Sequence, residues 1–241
     1  MVIKKTKDKT RIAGGKKMKE ALSKLDNNIR YKVQDGISAL KNIAFAKFPE
    51  TLDIAVQLGV DPKHSDQMVR GVVSMPAGTG KNVKVAVICK EDRYEEARAA
   101  GADGVGGQDI LDEIKANKID YDIYVTTPDM MGLVSQVARI LGPRGLMPNP
   151  KLGTVTSDIK KIVQEKKAGQ IEFKVDKAGI IHAGIGKITF DVEGLERNAK
   201  ALTDALNKAK PSASKGVYIK RVYLSTTMGP SIEIDLLSLS N

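Results

Sequence analysis

The chain has 241 residues, 41% of them hydrophobic, which suffices for one large or two small packed domains and excludes global disorder. It contains no run of about 18 apolar residues and begins without an apolar stretch, so the sequence predicts neither a membrane span nor a secretory signal. The single cysteine, Cys89, cannot form an internal disulfide, which fits the reducing cytoplasm that we predict as the protein's compartment.

The net charge of +10 is concentrated at the start of the chain. Residues 1–24 hold nine lysines and arginines against two acidic residues, whereas basic and acidic residues nearly balance elsewhere. A basic arm of this kind suits a polyanion, because neutralising phosphates releases condensed counterions. The alternative is a solvated tail whose lysines only keep the protein soluble.

The first third of the chain combines helices with half-buried strands. Apolar residues at helical spacing predict helices over residues 16–25 and 35–48. Strict alternation then predicts a strand over 51–58, and a second strand follows over 69–75. A stretch rich in proline and glycine, residues 76–80, closes this part with a turn.

The middle of the chain alternates strands with helices. We predict strands at 83–88 and 121–125 and helices at 91–100, 110–116, 129–141 and 157–167. A loop rich in proline and glycine follows residue 141. This alternation favours a parallel sheet wrapped by helices.

The last part of the chain, like the first, combines strands with amphipathic helices. We predict strands over residues 171–175 and 180–188, then a long amphipathic helix over 195–208. Two strands, 217–226 and 232–237, finish the chain.

One arrangement explains these two styles: an α/β domain, residues 79–168, inserted into an α+β domain built from residues 1–78 and 169–241. Residues 1–19 form the basic arm of the first part. The crossings fall at Gly78, Gly80 and Gly169, where glycine permits sharp changes of direction, so these residues are predicted to form a hinge. One continuous α/β domain remains the alternative.

The search for catalytic and cofactor motifs finds none. His64 and His182 are the only histidines, and with one cysteine they cannot complete a metal site of usual spacing. Gly80-Lys81 lacks the earlier glycine and the following Ser or Thr of a phosphate loop, and the glycines of residues 101–107 are interpreted as tight turns. The sequence therefore predicts a protein without cofactor or metal that is not an enzyme. A nucleotide-binding α/β enzyme is the disfavoured alternative.

The features that indicate RNA binding are typical of a protein that recognises the shape of a folded RNA. Aromatic residues make up 4% of the chain and tryptophan is absent, so a base-stacking platform is not expected. Residues 225–231 instead combine hydroxyls with Met228 and Gly229, although they equally suit an ordinary turn. A second candidate lies at residues 46–51, where Phe48 is either a core residue at a helix end or a ring presented to RNA.

Nine segments of the chain resemble, in order, those of the family of ribosomal protein one of the bacterial large subunit. Segment 141–156 is highly specific, and the nine segments are distributed from residue 46 to residue 231, so the resemblance extends over nearly everything after residue 30. They are AKFPETLDIAVQLGVDP (46–62), SDQMVRG (65–71), GTGK (78–81), AGAD (100–103), LGPRGLMPNPKLGTVT (141–156), AGQIEF (168–173), DKAGIIHAGIGK (176–187), KAKPSASKGVYIK (208–220) and STTMGPS (225–231).

This resemblance implies an RNA-binding α+β domain of the split β-α-β type with an inserted Rossmann-like α/β domain. It implies a structural protein of the large ribosomal subunit that binds 23S rRNA in the mobile stalk and contacts exit-site tRNA as it leaves. Repression of its own operon through a messenger-RNA site is implied as a second role. The RNA-binding residues carried over by position are Lys47, Phe48, Thr51, Thr227, Met228 and Gly229, with Lys177 and His182 on a neighbouring strand pair.

Three positions depart from the family pattern. Met68 and Val175 stand where asparagine is common, and Ala77 stands where histidine is common, so polar contacts are in doubt there. The basic arm is longer than in typical members, and its role is not implied by the resemblance. The loop around Arg144 and Pro148 belongs to the inserted domain, with loop rigidity as its expected role.

Overall fold

Three β-sheets organise the part of the chain described by the structure, a computed structural model covering residues 15–26, 29–212, 214 and 216–239. The first fourteen residues, and with them most of the predicted basic arm, lie outside these ranges. The helices are α1 (Lys16–Ser23), α2 (Val33–Ile43), α3 (Tyr94–Ala99), α4 (Gln108–Lys115), α5 (Met131–Val134), α6 (Ala138–Leu141), α7 (Ile159–Lys167) and α8 (Val192–Lys208). The strands are β1 (Thr51–Leu58), β2 (Arg70–Ser74), β3 (Val85–Ile88), β4 (Gly104–Gly106), β5 (Ile123–Thr126), β6 (Gln170–Lys174), β7 (Ile180–Lys187), β8 (Ile219–Thr226) and β9 (Ser231–Ile234).

The largest sheet joins the two ends of the sequence. Its four strands lie in the order β7-β1-β8-β9, and every neighbouring pair is antiparallel. Strands β7 and β8 therefore run parallel to each other on either side of β1, and helix α8 connects them. A short antiparallel pair, β2 with β6, forms a separate ladder where the chain leaves this region and returns to it.

Alternation along β1 explains how this sheet packs. Leu52, Ile54, Val56 and Leu58 are buried, and the residues between them are half-exposed. The buried side chains join a single hydrophobic cluster with α2 and α8, which cover one face of the sheet. The described residues leave the other face of the sheet open, and this face carries mostly polar residues.

The middle of the chain forms a parallel sheet in the order β4-β3-β5. Strand β3 is buried on both sides, as parallel strands between helices usually are. Ala86 and Ile88 join one hydrophobic cluster, while Val85 and Val87 join another on the opposite face. All residues of these two clusters lie between positions 85 and 163, and none belongs to the cluster of the larger sheet.

The main differences from the sequence prediction lie in three elements. Helix α2 ends at Ile43 rather than Phe48, because the backbone turns out of helical geometry at Ala44 and the N–H of Ala46 is taken by a side chain. The helix expected over 129–141 is broken into α5, α6 and two short 3₁₀ turns. Gly104–Gly106 forms strand β4 instead of a turn, and a Cβ at Gly104 would lie 2.5 Å from the Tyr121 ring.

None of the helices in the described part of the chain has the length and apolar character needed to cross a membrane.

Candidate nucleic-acid interface

The pairing of β1 with β8 brings the two candidate segments together. Leu52 is opposite Thr226, and the ladder continues beyond it through the turn. The Thr51 N–H donates to Thr227 Oγ1 at 3.0 Å, and the Thr227 N–H donates to the Thr51 carbonyl at 3.2 Å. Residues far apart in sequence thus lie side by side at one end of the sheet, where β1 begins and β8 ends. This end of the sheet is the edge referred to below.

The buried side chain of Glu50 connects these two segments through hydrogen bonds. Its side chain is only 1% exposed, and its two carboxylate oxygens accept separate backbone hydrogen bonds. Oε1 accepts the Ala46 N–H at 3.2 Å, and Oε2 accepts the Met228 N–H at 3.0 Å. A buried carboxylate is tolerated when it is hydrogen-bonded in this way, so Glu50 fixes the position of one loop against the other.

A third contact holds the same edge from the side of β7. Lys187, which is opposite Thr51 in the ladder, donates from Nζ to Thr51 Oγ1 at 3.1 Å. The ammonium group therefore lies beside the candidate residues, although Lys187 was not among the residues predicted to bind RNA.

The glycine at position 229 has a local packing role. A Cβ there would lie 2.3 Å from Thr226 Oγ1, and the Gly229 N–H donates to that oxygen at 3.1 Å. Glycine is required by this close approach within the turn, whether or not RNA also approaches the backbone.

Two large apolar side chains are exposed at this edge. Phe48 is 51% exposed and Met228 is 52% exposed, and Lys47 beside them is also exposed. Phe48 is therefore not the core residue that was the alternative. We call the surface formed by these side chains and their neighbours the paired-loop surface; it consists of Lys47, Phe48, Thr51, Thr227, Met228 and Gly229.

The open face of the four-stranded sheet extends away from the paired-loop surface. Register places Asp53 beside Ser225, and Ser225 beside Ser231. Partial burial raises the pKa of Asp53, and the nearby charges of Lys187 and His182 offset part of that rise. This face thus offers hydroxyls and one carboxylate that is less easily ionised than usual.

The structure separates Lys177 from the other candidates. Lys177 lies in the turn between β6 and β7, whose Gly179 carbonyl accepts the N–H of Leu58, at the far end of β1 from Thr51. The neighbouring Asp176 accepts the N–H groups of Ile180 and Ala178, each at 2.8 Å, and these bonds lower its pKa.

His182 lies between the two ends, exposed on the open face of β7. Its register partner on β1 is Ala55, and its Nε2 is 3.7 Å from Asp176 Oδ2. It is a surface residue and has no role in the core. His64 is exposed in the loop that follows β1.

The predicted hinge glycines lie where the chain passes between the two groups of sheets. Gly78, Gly80 and Gly169 all have positive φ, the conformation that glycine adopts without strain. A Cβ at Gly169 would lie 3.1 Å from the Gly78 Cα, so the outgoing and returning segments are in direct contact.

Asn198, a fully buried residue of α8 that was not predicted to have a role, holds the segment that leaves the larger sheet. Its Oδ1 accepts the Ala77 N–H at 2.9 Å, and its Nδ2 donates to the carbonyls of Gly78 and Ile185. The returning segment is held differently: the buried amine of Lys166 on α7 pairs with Glu172 on β6 at 3.0 Å.

The structure gives no phosphate-binding role to Gly80-Lys81. The Lys81 ammonium pairs with Asp122 Oδ1 at 3.0 Å, in a cleft of about 680 Å³ next to the crossings. Within the described residues, no group of three His, Cys, Asp or Glu side chains is arranged to hold a metal ion.

The three departures from the family pattern have different surroundings. Met68 is 43% exposed, whereas Val175 is buried and its N–H donates to the Val69 carbonyl. Ala77 is held through its backbone by Asn198. In the loop that follows α6, Pro148 is buried while Arg144 is exposed.

Comparison with known proteins identifies what this chain is similar to. Residues 40–230 match the model of the Ribosomal protein L1p/L10e family. The large ribosomal subunit protein uL1 of Rickettsia bellii (strain OSU 85-389) is 57% identical over 228 residues, covering 95% of each chain. The protein of the same name from Orientia tsutsugamushi (strain Boryong) is 58% identical over 221 residues, covering 92% of this chain and 89% of the relative. These matches confirm the resemblance seen in the sequence motifs and the prediction that the chain is not an enzyme.

Proposed function

Because the chain belongs to the Ribosomal protein L1p/L10e family, we propose that it binds the 23S rRNA of the mobile stalk of the large ribosomal subunit through its paired-loop surface. The observation that carries this proposal is the junction of Thr51 with Thr227 above the buried carboxylate of Glu50. That junction holds two loops in one fixed arrangement before any RNA is bound. A preformed surface loses less conformational entropy on binding than two independent loops would.

The chemistry of the paired-loop surface suits folded RNA. Threonine hydroxyls serve as donors and acceptors for 2′-hydroxyls, and the cations of Lys47 and Lys187 suit phosphates. Phe48 and Met228 are exposed apolar side chains at the same edge, placed to lie against sugars or bases. His182 and Lys177 would extend the contact along the open face of the sheet.

We propose the same domain division that the sequence indicates, with residues 79–168 inserted between residues 1–78 and 169–241. The separate hydrophobic clusters support it, as does the contact between Gly78 and Gly169. The arrangement of β7, α8 and β8 around β1 supports a split β-α-β domain, and the parallel sheet supports a Rossmann-like insertion. The hinge would let the insertion move against the RNA-bound domain.

Two further roles follow from binding in the stalk. The protein would contact exit-site tRNA and assist the release of deacylated tRNA as the stalk moves. It would also repress translation of its own operon by binding a messenger-RNA site that imitates the ribosomal one. Because both RNAs would use the paired-loop surface, the messenger site and the stalk fragment should compete for one protein molecule.

Filter binding tests the proposal with three probes at one salt concentration: the stalk fragment of 23S rRNA, an unrelated RNA duplex of equal length, and the corresponding DNA duplex. We expect the stalk fragment to bind at least about a hundredfold more tightly than either control, as specific sites typically exceed non-specific ones by 10³ or more. Equal affinity for all three probes would instead indicate a general polyanion binder and contradict the proposal.

A further inference from the structure

A groove of about 750 Å³ adjoins the paired-loop surface and extends beyond it. One wall is helix α1, through Met18 and Leu22, and the opposite wall is the turn and strand pair of residues 223–233. Its volume falls within the range of about 300–1,000 Å³ that is typical of small-molecule sites. Thr227 and Gly229 belong to both the groove and the paired-loop surface, so the two are continuous.

Helix α1 gives this groove a basic rim. Residues 16–26 contain four lysines and two acidic residues, of which Asp26 lines the groove. Lys19 is exposed three residues before Leu22, so it lies at the edge of the groove. On another side of the helix, the Lys17 ammonium is 6.0 Å from the centre of the Phe45 ring. Helix α1 therefore lies close to both loops of the paired-loop surface. The one carboxylate on the far wall, Glu233, is paired with Arg30 at 3.1 Å.

The interior of the groove combines rings with hydroxyls. Tyr31 and Tyr223 contribute half-buried rings, and Ser225 and Ser231 contribute hydroxyls on paired strands. Aromatic faces stack on bases regardless of sequence, and hydroxyls bond to base edges and sugars. Together with the lysine rim, these groups match an unpaired nucleotide with its phosphate directed towards α1.

We propose that this groove is a second RNA subsite, which takes one unpaired nucleotide of the RNA held by the paired-loop surface. The inference rests on the proposed function, because it assigns the groove to the same RNA molecule. It gives α1 the role of a basic wall that extends the contact beyond the sheet.

Two variants test the groove in different ways. Ser231→Trp fills the space without changing charge, and Ser74→Trp makes the same change at an exposed strand residue of β2. Lys19→Glu reverses the charge of the rim, and Lys160→Glu makes the matched reversal on the exposed side of α7. Affinity for the stalk fragment of 23S rRNA is measured by filter binding over a series of salt concentrations, and each variant is melted without RNA.

Both groove variants should weaken binding about tenfold, the scale of one lost base stack or phosphate contact, while both controls stay within about twofold. Lys19→Glu should also reduce the slope of log affinity against log salt by about one. Met228→Asp, a substitution in the paired-loop surface at a residue that does not line the groove, is the reference variant. If both groove variants bind like the original chain while Met228→Asp binds weakly, the groove proposal is wrong and the proposed function stands.

If Met228→Asp also binds normally, the proposed function fails and the groove assignment fails with it. A third outcome concerns residues 1–14. Ser231→Trp would melt several degrees lower without RNA, and its affinity deficit would disappear when residues 1–14 are removed. The groove would then be occupied by those residues and not by RNA. That result would overturn the proposal.

Discussion

The two main sheets of this protein differ in how many of their faces are covered. The antiparallel sheet of β7, β1, β8 and β9 packs on α2 and α8 with one face and leaves the other open. The parallel sheet of β4, β3 and β5 is packed on both faces, so its side chains are buried in two hydrophobic clusters. A binding surface made of strand residues is therefore available in the first sheet, whereas the second has only its loops to offer.

Alternation along the strand is the physical basis of this difference. On β1, every second residue is free to be polar, and Thr51, Asp53 and Gln57 are. On β3, both sets of side chains are buried, and a polar residue in either would need a partner. The predictions below test this contrast, starting with the largest expected effect.

Ile88→Ala in the parallel sheet should cost about 2–5 kcal/mol of the free energy of unfolding, because a fully buried side chain leaves a cavity. Gln57→Ala on the open face of β1 should change the free energy by less than about 0.5 kcal/mol. Urea denaturation measures both. Similar losses in the two variants would remove the distinction between the sheets.

Met228→Asp should weaken RNA binding by about 3 kcal/mol, because it places a carboxylate against phosphates at the edge of the open sheet. Met68→Asp is the matched control, since Met68 is similarly exposed but lies on a different loop. Filter binding gives the affinities, and thermal melting should show both variants folded. If the two variants lost equal affinity, a general charge effect would explain the result.

The sequence predicted the strands of the open sheet because alternation and turn residues are local signals. It also selected Gly78, Gly80 and Gly169 for the proposed hinge, and all three have the positive φ that glycine adopts without strain. Strand β4 was missed because glycine gives no strand signal of its own.

Glu50 was missed for a different reason. A glutamate is normally exposed, and nothing near it in sequence shows that both oxygens meet buried N–H groups. One of those groups belongs to Met228, which only the pairing of β1 with β8 brings within reach. The same pairing places Thr51 against Thr227, which the family resemblance implied but periodicity alone did not.

Glu50→Gln should cost about 1–3 kcal/mol of the free energy of unfolding, since an amide has one oxygen where two backbone N–H groups need acceptors. RNA affinity should fall as well, because the two loops are no longer fixed against each other. Glu95→Gln, at an exposed position of α3, is the control for the charge change. Unchanged stability and affinity in Glu50→Gln would show that the paired-loop surface does not depend on this carboxylate.

The two sheets should also differ in how one aspartate responds to pH. Hydrogen bonds from the Lys81 side chain and the Lys84 N–H lower the pKa of Asp122 below 3.8, so its charged form stabilises the fold at neutral pH. That contribution is lost as the pH falls through the folded value. On the open face, burial raises the pKa of Asp53 above 3.8, so its charge costs stability at neutral pH, and the cost is relieved as the pH falls.

Asp122→Asn should therefore lower, and Asp53→Asn should raise, the free energy of unfolding at pH 7. Each change should be less than about 1 kcal/mol because both side chains are partly exposed. Both differences should shrink towards pH 3 as the native carboxylates become protonated. Urea titrations at several pH values measure this; changes of the same sign at pH 7 would contradict the assignment.

Hydrogen exchange of the free and RNA-bound protein tests the central claim most directly. Binding of the 23S rRNA stalk fragment should slow exchange of the amides of residues 47–51 and 226–229 together. The strands of the parallel sheet should exchange as before. Protection confined to residues 83–167, with the paired-loop surface unchanged, would contradict the account.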